Sequence, residues 1–461
     1  MADLASLLEE LVGAAFVAAG DEISDDYAHD ETLSVEPQRP AVVARPGTTA
    51  EIAAILRLAN EQRIPVTARG SATGLSAGAL PDPAAIVVSL ERFDRILEID
   101  ADNHIAVVQA GVTLAQLDAA LAPLGLVYPV QPGEMSGSLG GNVATNAGGM
   151  RAVKYGVTRS QVLGLEAVLA TGEVIRTGGR FVKCSSGYDL TQLLCGSEGT
   201  LAIVTEVTLR LYPRAEQRST LLVPFTTLDQ VTDAIPKIVA SGTQPLILEY
   251  IDAFTMAAIT QHVGLELGIP QTIKDIAFAY LVIVLESQHA NRLEEDTQTL
   301  AELAATLDAI DVFILPPTAG AQLISAREAA FWAAKAVNAN DIVDVVVPRS
   351  AIPEFFRRVA EIQTAHETVF FGCGHAGDGN VHLTVFQADP EKRSAAMRAL
   401  FEAGIALGGA ISGEHGIGRA KKPYFLALED PIKLRLMREI KRAFDPNAIL
   451  NPGVLLDPEP A

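Results

Sequence analysis

The chain is poor in cysteine, in tryptophan and in aromatic residues generally. Its 461 residues include three cysteines and one tryptophan, and aromatic side chains make up 5% of the sequence. Cys184, Cys195 and Cys373 show no CxxC spacing and no even-numbered framework, so the sequence indicates neither a disulfide scaffold nor a thiolate zinc site. This usage is typical of a reducing compartment, and we expect the protein to be cytoplasmic.

Positive charge and long apolar runs are also scarce. The 56 acidic residues outnumber the 35 basic ones and give a formal net charge of -21, which would repel a phosphate backbone and argues against a nucleic-acid partner. The longest apolar runs, such as 277–285, are too short to span a bilayer. Asp3, Glu9 and Glu10 stand where a secretory signal would carry Lys or Arg. We therefore predict no transmembrane segment and no signal peptide.

The length and the order of the segments predict a multidomain α+β protein. A chain of 461 residues exceeds the size of one hydrophobic core, so two or three domains are expected. From 38 to 215, short β-branched runs alternate with Gly-rich turns around one clear helix at 49–62, whereas 221–410 alternates strand-like and helical segments. In this second region we expect helices covering one face of a sheet. The helical patterns there lie near 227–241, 290–307, 318–337 and 350–366, and another follows at 431–444.

Glycine concentrates in three elements of the first half. The sequence contains neither a GxGxxG opening a helix nor a GxxxxGK[ST] loop, but 65–81 reads PVTARGSATGLSAGALP, a strand that runs into a possible anion nest. A single loop of this kind is more often a tight turn. The second element, 132–149, adds PGEMSGSLGGNVATNAGG, and the third is CGSEGTLAIVTEVTL at 195–209. Such density of glycine indicates a ligand that lies against bare main chain.

Together the three elements resemble the FAD-binding domain of the FAD-linked oxidase family, which shares the vanillyl-alcohol oxidase and p-cresol methylhydroxylase fold. The resemblance implies that the first loop wraps the pyrophosphate, the second lines the isoalloxazine and ribityl chain, and the third contacts the adenosine side. It implies non-covalent FAD, because Ser71 and Ala72 occupy the loop in which covalent members carry a histidine. The implied FAD residues are Arg69, Gly70, Ser71, Ala72, Thr73, Gly74, Leu75, Ser76, Pro132, Gly133, Ser138, Gly140, Gly141, Asn142, Thr145, Asn146, Gly148, Gly149, Glu198, Gly199, Ile203 and Asn451.

Histidines and a glutamate mark a second site in the other half. Residues 371–386 read FGCGHAGDGNVHLTVF, in which two strands flank a Gly-Asp-Gly-Asn turn, so a hairpin can bring His375 and His382 together. Further along, ISGEHGIGR presents Glu414 and His415 in a glycine-rich loop. Any one of these histidines alone is more often a structural residue. Two neutral imidazoles and a carboxylate, however, are suitable for an open Zn²⁺ site.

GHAGDGNVH with GEHGIG is similar to the signature of the branch that contains D-lactate dehydrogenase, the glycolate oxidase flavin subunit and D-2-hydroxyglutarate dehydrogenase. The resemblance implies that His375, His382 and Glu414 hold a divalent metal, with zinc preferred, and that His415 is the base. It implies oxidation of a D-2-hydroxy acid, D-lactate-like or glycolate-like, to the 2-oxo acid. The metal would lower the pKa of the substrate hydroxyl, His415 would take the proton, and hydride would pass to flavin N5.

Alternatives to this activity remain open from the sequence alone. The chain could be a D-2-hydroxyglutarate dehydrogenase, a relative acting on another alcohol, amine or ether lipid, or a flavin-binding subunit of a larger complex. Arg327 is a candidate for binding the substrate carboxylate, with a surface ion pair to Glu328 or another acid as the equal alternative. Ile342 stands close to a position where 2-hydroxyglutarate enzymes carry a second lysine, which favours a monocarboxylate. Val454 replaces the lysine that usually follows the NPG motif.

The predicted organisation assigns each half its own task. We expect an N-terminal helical segment at 1–37, a two-subdomain FAD-binding domain at 38–215, an α/β substrate domain with the metal site at 216–415, and a segment at 416–461 that returns to the flavin. The electron acceptor is left open among a quinone, an electron-transfer flavoprotein and oxygen. The oligomeric state is equally open, with a homodimer as one alternative.

Overall fold

The computed structural model describes residues 4–457 of the chain. Its first half contains a four-stranded sheet, a five-stranded sheet and a short two-stranded ribbon. The strands are β1 (Val17–Ala19), β2 (Val42–Ala44), β3 (Val66–Arg69), β4 (Ile86–Ser89), β5 (Ile96–Asp100), β6 (Ile105–Gln109), β7 (Leu126–Val127), β8 (Val162–Val168), β9 (Val174–Gly178), β10 (Ile203–Arg210) and β11 (Tyr212–Pro213).

The two larger sheets form the two subdomains of the first half. The first has the strand order β1-β2-β4-β3, with β2 and β3 parallel to β4, and β1 of the N-terminal stretch adds an antiparallel edge. The second has the order β5-β6-β10-β8-β9 and is antiparallel throughout. Each sheet has its own apolar core. The helices of this half are α1 (Leu4–Val12), α2 (Thr49–Gln62), α3 (Leu114–Leu121), α4 (Leu139–Thr145), α5 (Ala152–Tyr155), α6 (Thr158–Gln161) and α7 (Leu190–Leu194).

Helix α2 illustrates how sequence determines these elements. The Thr48 hydroxyl accepts a hydrogen bond from the Glu51 backbone N–H and caps the first turn. Ile52, Leu56 and other apolar side chains at helical spacing are fully buried against the first sheet. The helix ends where Arg63 adopts a left-handed conformation with φ of 54°. Its observed bounds equal those predicted from the apolar period.

The second half is built on one seven-stranded antiparallel sheet. Its strands are β12 (Gln217–Phe225), β13 (Ile247–Asp252), β14 (Ala279–Ser287), β15 (Phe313–Leu315), β16 (Asp341–Val346), β17 (Val369–His375) and β18 (Asn380–Phe386). They are arranged in the order β15-β12-β14-β13-β17-β18-β16. Strands β17 and β18 form the predicted hairpin, in which His375 pairs with Asn380 across the turn.

Helices pack on both faces of this sheet. One face meets α8 (Leu228–Ala240), α11 (Ala290–Ala305), α14 (Ile352–His366) and α15 (Pro390–Ala406) in the largest core of the molecule. The other meets α9 (Ala253–Val263), α12 (Pro317–Glu328) and α13 (Ala330–Ala336), and the short α10 (Gln271–Lys274) lies close by in sequence. The prediction of a single covered face was therefore wrong. The run AYLVIVL of β14 is apolar at consecutive positions because both of its faces are buried.

The C-terminal segment runs back to the first half. It contains α16 (Lys422–Leu428) and α17 (Pro431–Phe444), and Ile440 and Phe444 of α17 pack against the core of the second sheet. Leu450 then forms a parallel bridge with Val66 at the edge of β3. Among the described residues, no helix combines the length and the apolarity that a membrane span requires.

Candidate active site

A cleft of about 1390 Å³ opens between the glycine-rich elements of the first half. Of the residues predicted to bind FAD, 19 line this cleft: Arg69, Gly70, Ser71, Ala72, Thr73, Gly74, Leu75, Ser76, Pro132, Ser138, Gly140, Gly141, Asn142, Thr145, Gly148, Glu198, Gly199, Ile203 and Asn451. Gly133 instead lines a neighbouring cavity. Asn146 lies on another side of the loop, where its Oδ1 accepts a hydrogen bond from the Arg159 backbone N–H.

The glycines of the cleft are required by close approaches of main chain. A Cβ on Gly140 would lie 2.7 Å from the Ala110 Cβ, and one on Gly70 would lie 2.1 Å from the Ser138 Oγ. Gly149 does not line the cleft; it has φ of +121°, and a Cβ there would lie 2.0 Å from the Gln131 carbonyl oxygen. These contacts draw the loops together and leave backbone rather than side chains at the surface of the cleft.

Glu198 and Asn451 join the cleft to the second half and to the C-terminal segment. Both Glu198 carboxylate oxygens accept backbone N–H groups, from Ile417 at 2.9 Å and from Gly418 at 2.7 Å. The Asn451 amide donates to the carbonyl oxygens of Gly78 and Glu198, at 2.9 and 2.8 Å. Burial raises the pKa of Glu198. The loop after His415 is thereby held against the wall of the cleft.

A second cavity of about 900 Å³ adjoins this cleft. The two share Leu75, Pro132, Glu414 and His415, so the predicted ligand and the predicted base stand at the junction. His375, His382 and Arg327 also line the second cavity. The structure therefore brings together all five residues that the sequence singled out in the second half.

His375, His382 and Glu414 form a compact cluster that could hold a metal ion. The Nε2 atoms of His375 and His382 lie 3.1 and 3.3 Å from the Glu414 Oε1, and one ligand atom from each residue lies within 4.8 Å of the other two. The Glu414 Oε2 is buried and has no hydrogen-bond partner. A buried carboxylate oxygen without a partner fits a cation, because burying it unpaired costs free energy.

The electrostatics of the cluster favour a positive charge. Burial lowers the pKa of His375, but the carboxylates of Glu249 and Glu414 outweigh it and raise that pKa well above its usual value. Burial lowers the pKa of His382, which keeps its imidazole neutral at pH 7. Burial alone would raise the pKa of Glu414, yet His375 and His382 hold it well below the usual value. A divalent cation held by the two imidazoles and Glu414 would neutralise the Glu414 carboxylate.

Glu249 supports this cluster from behind. It lies on β13, has no exposed surface, and its Oε1 accepts a hydrogen bond from the His375 Nδ1 at 2.5 Å. This fixes Nε2 as the nitrogen that faces Glu414, an arrangement common among metal-binding histidines. The other Glu249 oxygen lies 2.9 Å from the Arg327 Nη2.

Arg327 is buried at the last turn of α12 rather than placed on the surface. Its exposed fraction is 8%, and its Nε and Nη2 atoms have no well-aligned hydrogen-bond partner. The predicted alternative of a surface Arg paired with Glu328 or another acid is wrong about the surface, because Arg327 is buried, although it does pair with another acid, Glu249. Buried guanidinium donors at a cavity wall are suitable for binding a carboxylate.

Asp344 organises the loop that carries Glu414 and His415. It is fully buried on β16, and its Oδ2 accepts the backbone N–H groups of Gly413, Glu414 and His415 at 2.8 to 2.9 Å. The Lys421 ammonium donates to its Oδ1. Burial alone would raise the Asp344 pKa, but His415 and Lys421 hold it far below its usual value. The loop is therefore fixed by one charged side chain.

His415 is positioned beside the same carboxylate. Its Nδ1 lies 3.4 Å from the Asp344 Oδ1, which leaves Nε2 as the nitrogen free for a ligand in the adjoining cavities. The His415 ring stacks on that of His382, with centroids 5.1 Å apart. Burial lowers the pKa of His415 to about 4, so that the imidazole is neutral at pH 7 and able to accept a proton.

Comparison with known proteins matches both halves of this arrangement. The family model of the FAD binding domain matches residues 40–178, and that of the C-terminal domain of FAD linked oxidases matches residues 214–455. The second match alone covers more than half of the chain. This chain belongs to the FAD-linked oxidase family.

Relatives place this FAD-linked oxidase in one branch of the family. It is 54% identical to an uncharacterized FAD-linked oxidoreductase of Mycobacterium tuberculosis, over 99% of both chains. It is 39% identical to a D-lactate dehydrogenase of Archaeoglobus fulgidus (93% of this chain, 95% of that one) and 37% identical to the glycolate oxidase subunit GlcD of Bacillus subtilis (93% and 91%). D-2-hydroxyglutarate dehydrogenases belong to the same branch.

Solved structures confirm the fold of this FAD-linked oxidase. Substrate-bound p-cresol methylhydroxylase superposes with a TM-score of 0.81 at 17% identity and covers 99% of this chain and 97% of its own. The α+β fold with a p-cresol methylhydroxylase type of FAD-binding domain, predicted from the glycine-rich elements, is thus confirmed, as is membership in the family.

Three charged residues of the site were missed from the sequence. Glu249 and Asp344 each interrupt an otherwise apolar strand, LILEYI and DIVDVVV, and this was the available signal, because a charge on a buried strand needs a partner. Lys421 lies in the less informative stretch after GEHGIGR and is 2% exposed. Of the two departures noted in the sequence, Ile342 lines the second cavity, whereas Val454 is buried away from the FAD cleft.

Proposed function

We propose that this FAD-linked oxidase is a D-2-hydroxy acid dehydrogenase that forms the 2-oxo acid. One observation carries the proposal: the buried cluster of His375, His382 and Glu414, with His415 beside it, stands where the FAD cleft meets a second cavity. A base and a candidate metal site at the edge of a flavin site match the oxidation of an alcohol. The names of the D-lactate dehydrogenase and glycolate oxidase relatives support a 2-hydroxy acid as substrate.

The residues of the chain divide the chemistry among themselves. When bound, FAD accepts hydride and a divalent cation, for which we propose zinc, makes the substrate hydroxyl more acidic. His375, His382 and Glu414 hold the cation, and neutral His415 receives the hydroxyl proton on Nε2. The carboxylate of Asp344, 3.4 Å from Nδ1, then stabilises the imidazolium.

Arg327 is proposed to bind the substrate carboxylate. It is the one Lys or Arg side chain among the described residues that line the second cavity, and its Nε, which has no hydrogen-bond partner, supports this role. A second carboxylate would find no further Lys or Arg among the described residues of that cavity, and Ile342 lines it close to where the resemblance implies a lysine in 2-hydroxyglutarate enzymes. A monocarboxylate is therefore proposed.

FAD is proposed to bind without a covalent link. Ser71 and Ala72 line the cleft where covalent members of the family carry a histidine. Acid precipitation of the purified yellow protein should release all flavin into the supernatant. Flavin retained in the pellet would contradict the proposal. A quinone, an electron-transfer flavoprotein or oxygen as electron acceptor, a cytoplasmic location and a homodimer remain predictions from the sequence.

Anaerobic mixing with substrate tests the function directly. A panel of D- and L-2-hydroxy acids is mixed with the oxidised protein, and the loss of the flavin absorbance is followed. D-2-hydroxy acids should bleach the flavin, and His415→Asn should slow bleaching by about 10² to 10⁴-fold while FAD and metal contents stay unchanged. No bleaching by any acid, or bleaching by the variant at the wild-type rate, would reject the proposal.

A further inference from the structure

Apart from the residues assigned to the chemistry, the second cavity is lined mainly by apolar side chains, and the polar exceptions are Gln131, Thr255, Glu328 and Thr384. Arg327, the metal-binding cluster and His415 account for the groups that act on the carboxylate and the hydroxyl of a 2-hydroxy acid. The remaining walls have no task in the chemistry, so their composition indicates what the rest of the substrate is.

Three neighbouring strands change from polar to apolar in the same direction. In the sheet register, His382 of β18 is opposite Cys373 of β17 on one side and Asp344 of β16 on the other. This row contains the predicted metal ligand and the residue that positions the base. Side chains two residues further along each strand point to the same face and lie roughly 7 Å away.

The next row on that face is mainly apolar, with Thr384 as its one hydroxyl. Thr384 of β18 is opposite Phe371 of β17 and Ile342 of β16, and Phe386 follows on β18. Thr384, Phe371, Ile342 and Phe386 all line the cavity, whereas the alternating residues of β18, such as Leu383, are buried in the core on the opposite face. The apolar floor therefore begins roughly 7 Å from the reacting end, beyond the reach of the methyl group of lactate.

Helices α9 and α13 contribute further apolar residues to the cavity. Phe254 of α9 stacks on Phe371, with ring centroids 4.1 Å apart, and Phe331 of α13 lines the cavity as well. Ala258 of α9 and Ala334 of α13 also line the cavity, and each lies one helical turn from an aromatic residue, Phe254 and Phe331 respectively. Small residues flanked by aromatic ones leave a slot that an apolar group can fill.

We infer that the substrate is a D-2-hydroxy monocarboxylic acid with an extended apolar side chain, aromatic or aliphatic, rather than lactate or glycolate. The inference rests on the proposed function and extends it to the side chain of the substrate. The carboxylate binds Arg327, the hydroxyl faces His415, and the side chain lies over Phe371 and Ile342 between α9 and α13. Each methylene buried in such a pocket improves kcat/KM by about tenfold.

A series of substrates tests the inference on the FAD-containing, metal-containing enzyme with one artificial electron acceptor. Glycolate, D-lactate, D-2-hydroxyisocaproate, D-phenyllactate and D-2-hydroxyglutarate are compared by kcat/KM. We expect D-phenyllactate and D-2-hydroxyisocaproate to exceed D-lactate by at least about tenfold. A preference for D-lactate or glycolate would overturn the inference and leave the proposed function intact. A preference for D-2-hydroxyglutarate would overturn the inference and the proposed monocarboxylate, and no turnover of any acid would overturn the inference and the proposed function together.

A matched pair of variants tests the slot itself. Ala258→Leu fills the cavity, whereas Ala257→Leu adds the same atoms to the neighbouring exposed position of α9. The first should lower kcat/KM for D-phenyllactate by at least about tenfold and leave D-lactate unchanged, and the second should change neither. FAD content and circular dichroism check that both variants fold. Equal effects of Ala258→Leu on both substrates would overturn the inference, and the substrate series on the wild type remains decisive if the variant does not fold.

Discussion

The FAD cleft and the adjoining cavity differ in the groups that shape them. Glycines that allow backbones to approach line the first, as where a Cβ on Gly140 would meet Ala110 at 2.7 Å. Charged side chains from buried strands shape the second, with Glu249 and Asp344 completely buried. The first is therefore sensitive to added atoms, and the second is sensitive to lost charge.

The difference also explains how the halves cooperate. The FAD cleft is lined mainly by backbone and small side chains, while the second cavity concentrates a candidate cation site and a base within a few ångströms. The two meet where Glu198 of the first half accepts the backbone N–H groups of Ile417 and Gly418. The position of this loop therefore affects both regions. Variants in the FAD cleft should change flavin binding, and variants in the second cavity should change the chemistry.

The largest effect should come from removing a metal ligand. His382→Ala should abolish stoichiometric divalent metal and lower turnover by about 10³-fold or more, because a metal ion contributes several kcal/mol of charge stabilisation. The flavin spectrum should persist, since His382 does not line the FAD cleft. Elemental analysis and steady-state rates measure this, with His289→Ala on exposed surface as the control. Full activity without bound metal would show that the second cavity does not act through a metal ion.

The stability of the charged region depends on the Asp344 and Lys421 pair. Asp344→Asn leaves the buried Lys421 ammonium without its counterion, and we expect the free energy of unfolding to fall by about 3–5 kcal/mol. Denaturant titration measures the change, and the double variant with Lys421→Met should recover part of it. Lys433→Met, in an exposed pair with Glu429, should cost less than about 1 kcal/mol. Equal losses for both pairs would mean that burial is not what matters.

The sequence predicted the features that are local in the chain and missed those that depend on the order of the strands in the sheet. The glycine-rich elements are local in sequence, so they predicted the cleft and the fold, and helix α2 matched its predicted bounds at Thr49 and Gln62. His375 and His382 share one hairpin and were found for the same reason. Glu249 is distant in sequence from both, and its role depends on β13 lying next to β17, a strand order that no local pattern specifies.

A smaller effect on metal binding is expected for Glu249, whose charge acts on the metal through His375. Glu249→Gln keeps an acceptor for the His375 Nδ1 but removes the charge, and we expect metal affinity to fall by about 10 to 100-fold. Competition with a chelator measures this, while FAD content should not change. Glu286→Gln, another buried acid of the same sheet that binds Lys154 away from the cluster, is the control. A larger loss of affinity for the control would show a general loss of stability instead.

The smallest effect should come from a single added methyl group in the cleft. Gly140→Ala forces its Cβ to within 2.7 Å of Ala110, and neither backbone can move freely because the Gly140 N–H donates to the Ala110 carbonyl oxygen at 2.7 Å. We expect a loss of about 1–3 kcal/mol in stability and weaker FAD binding, measured by unfolding and by reconstitution of the apoprotein. Gly47→Ala adds the same methyl against the movable Arg92 guanidinium and should have little effect. Metal content should stay unchanged in both variants, and a loss of metal together with FAD would show that the two regions do not respond separately.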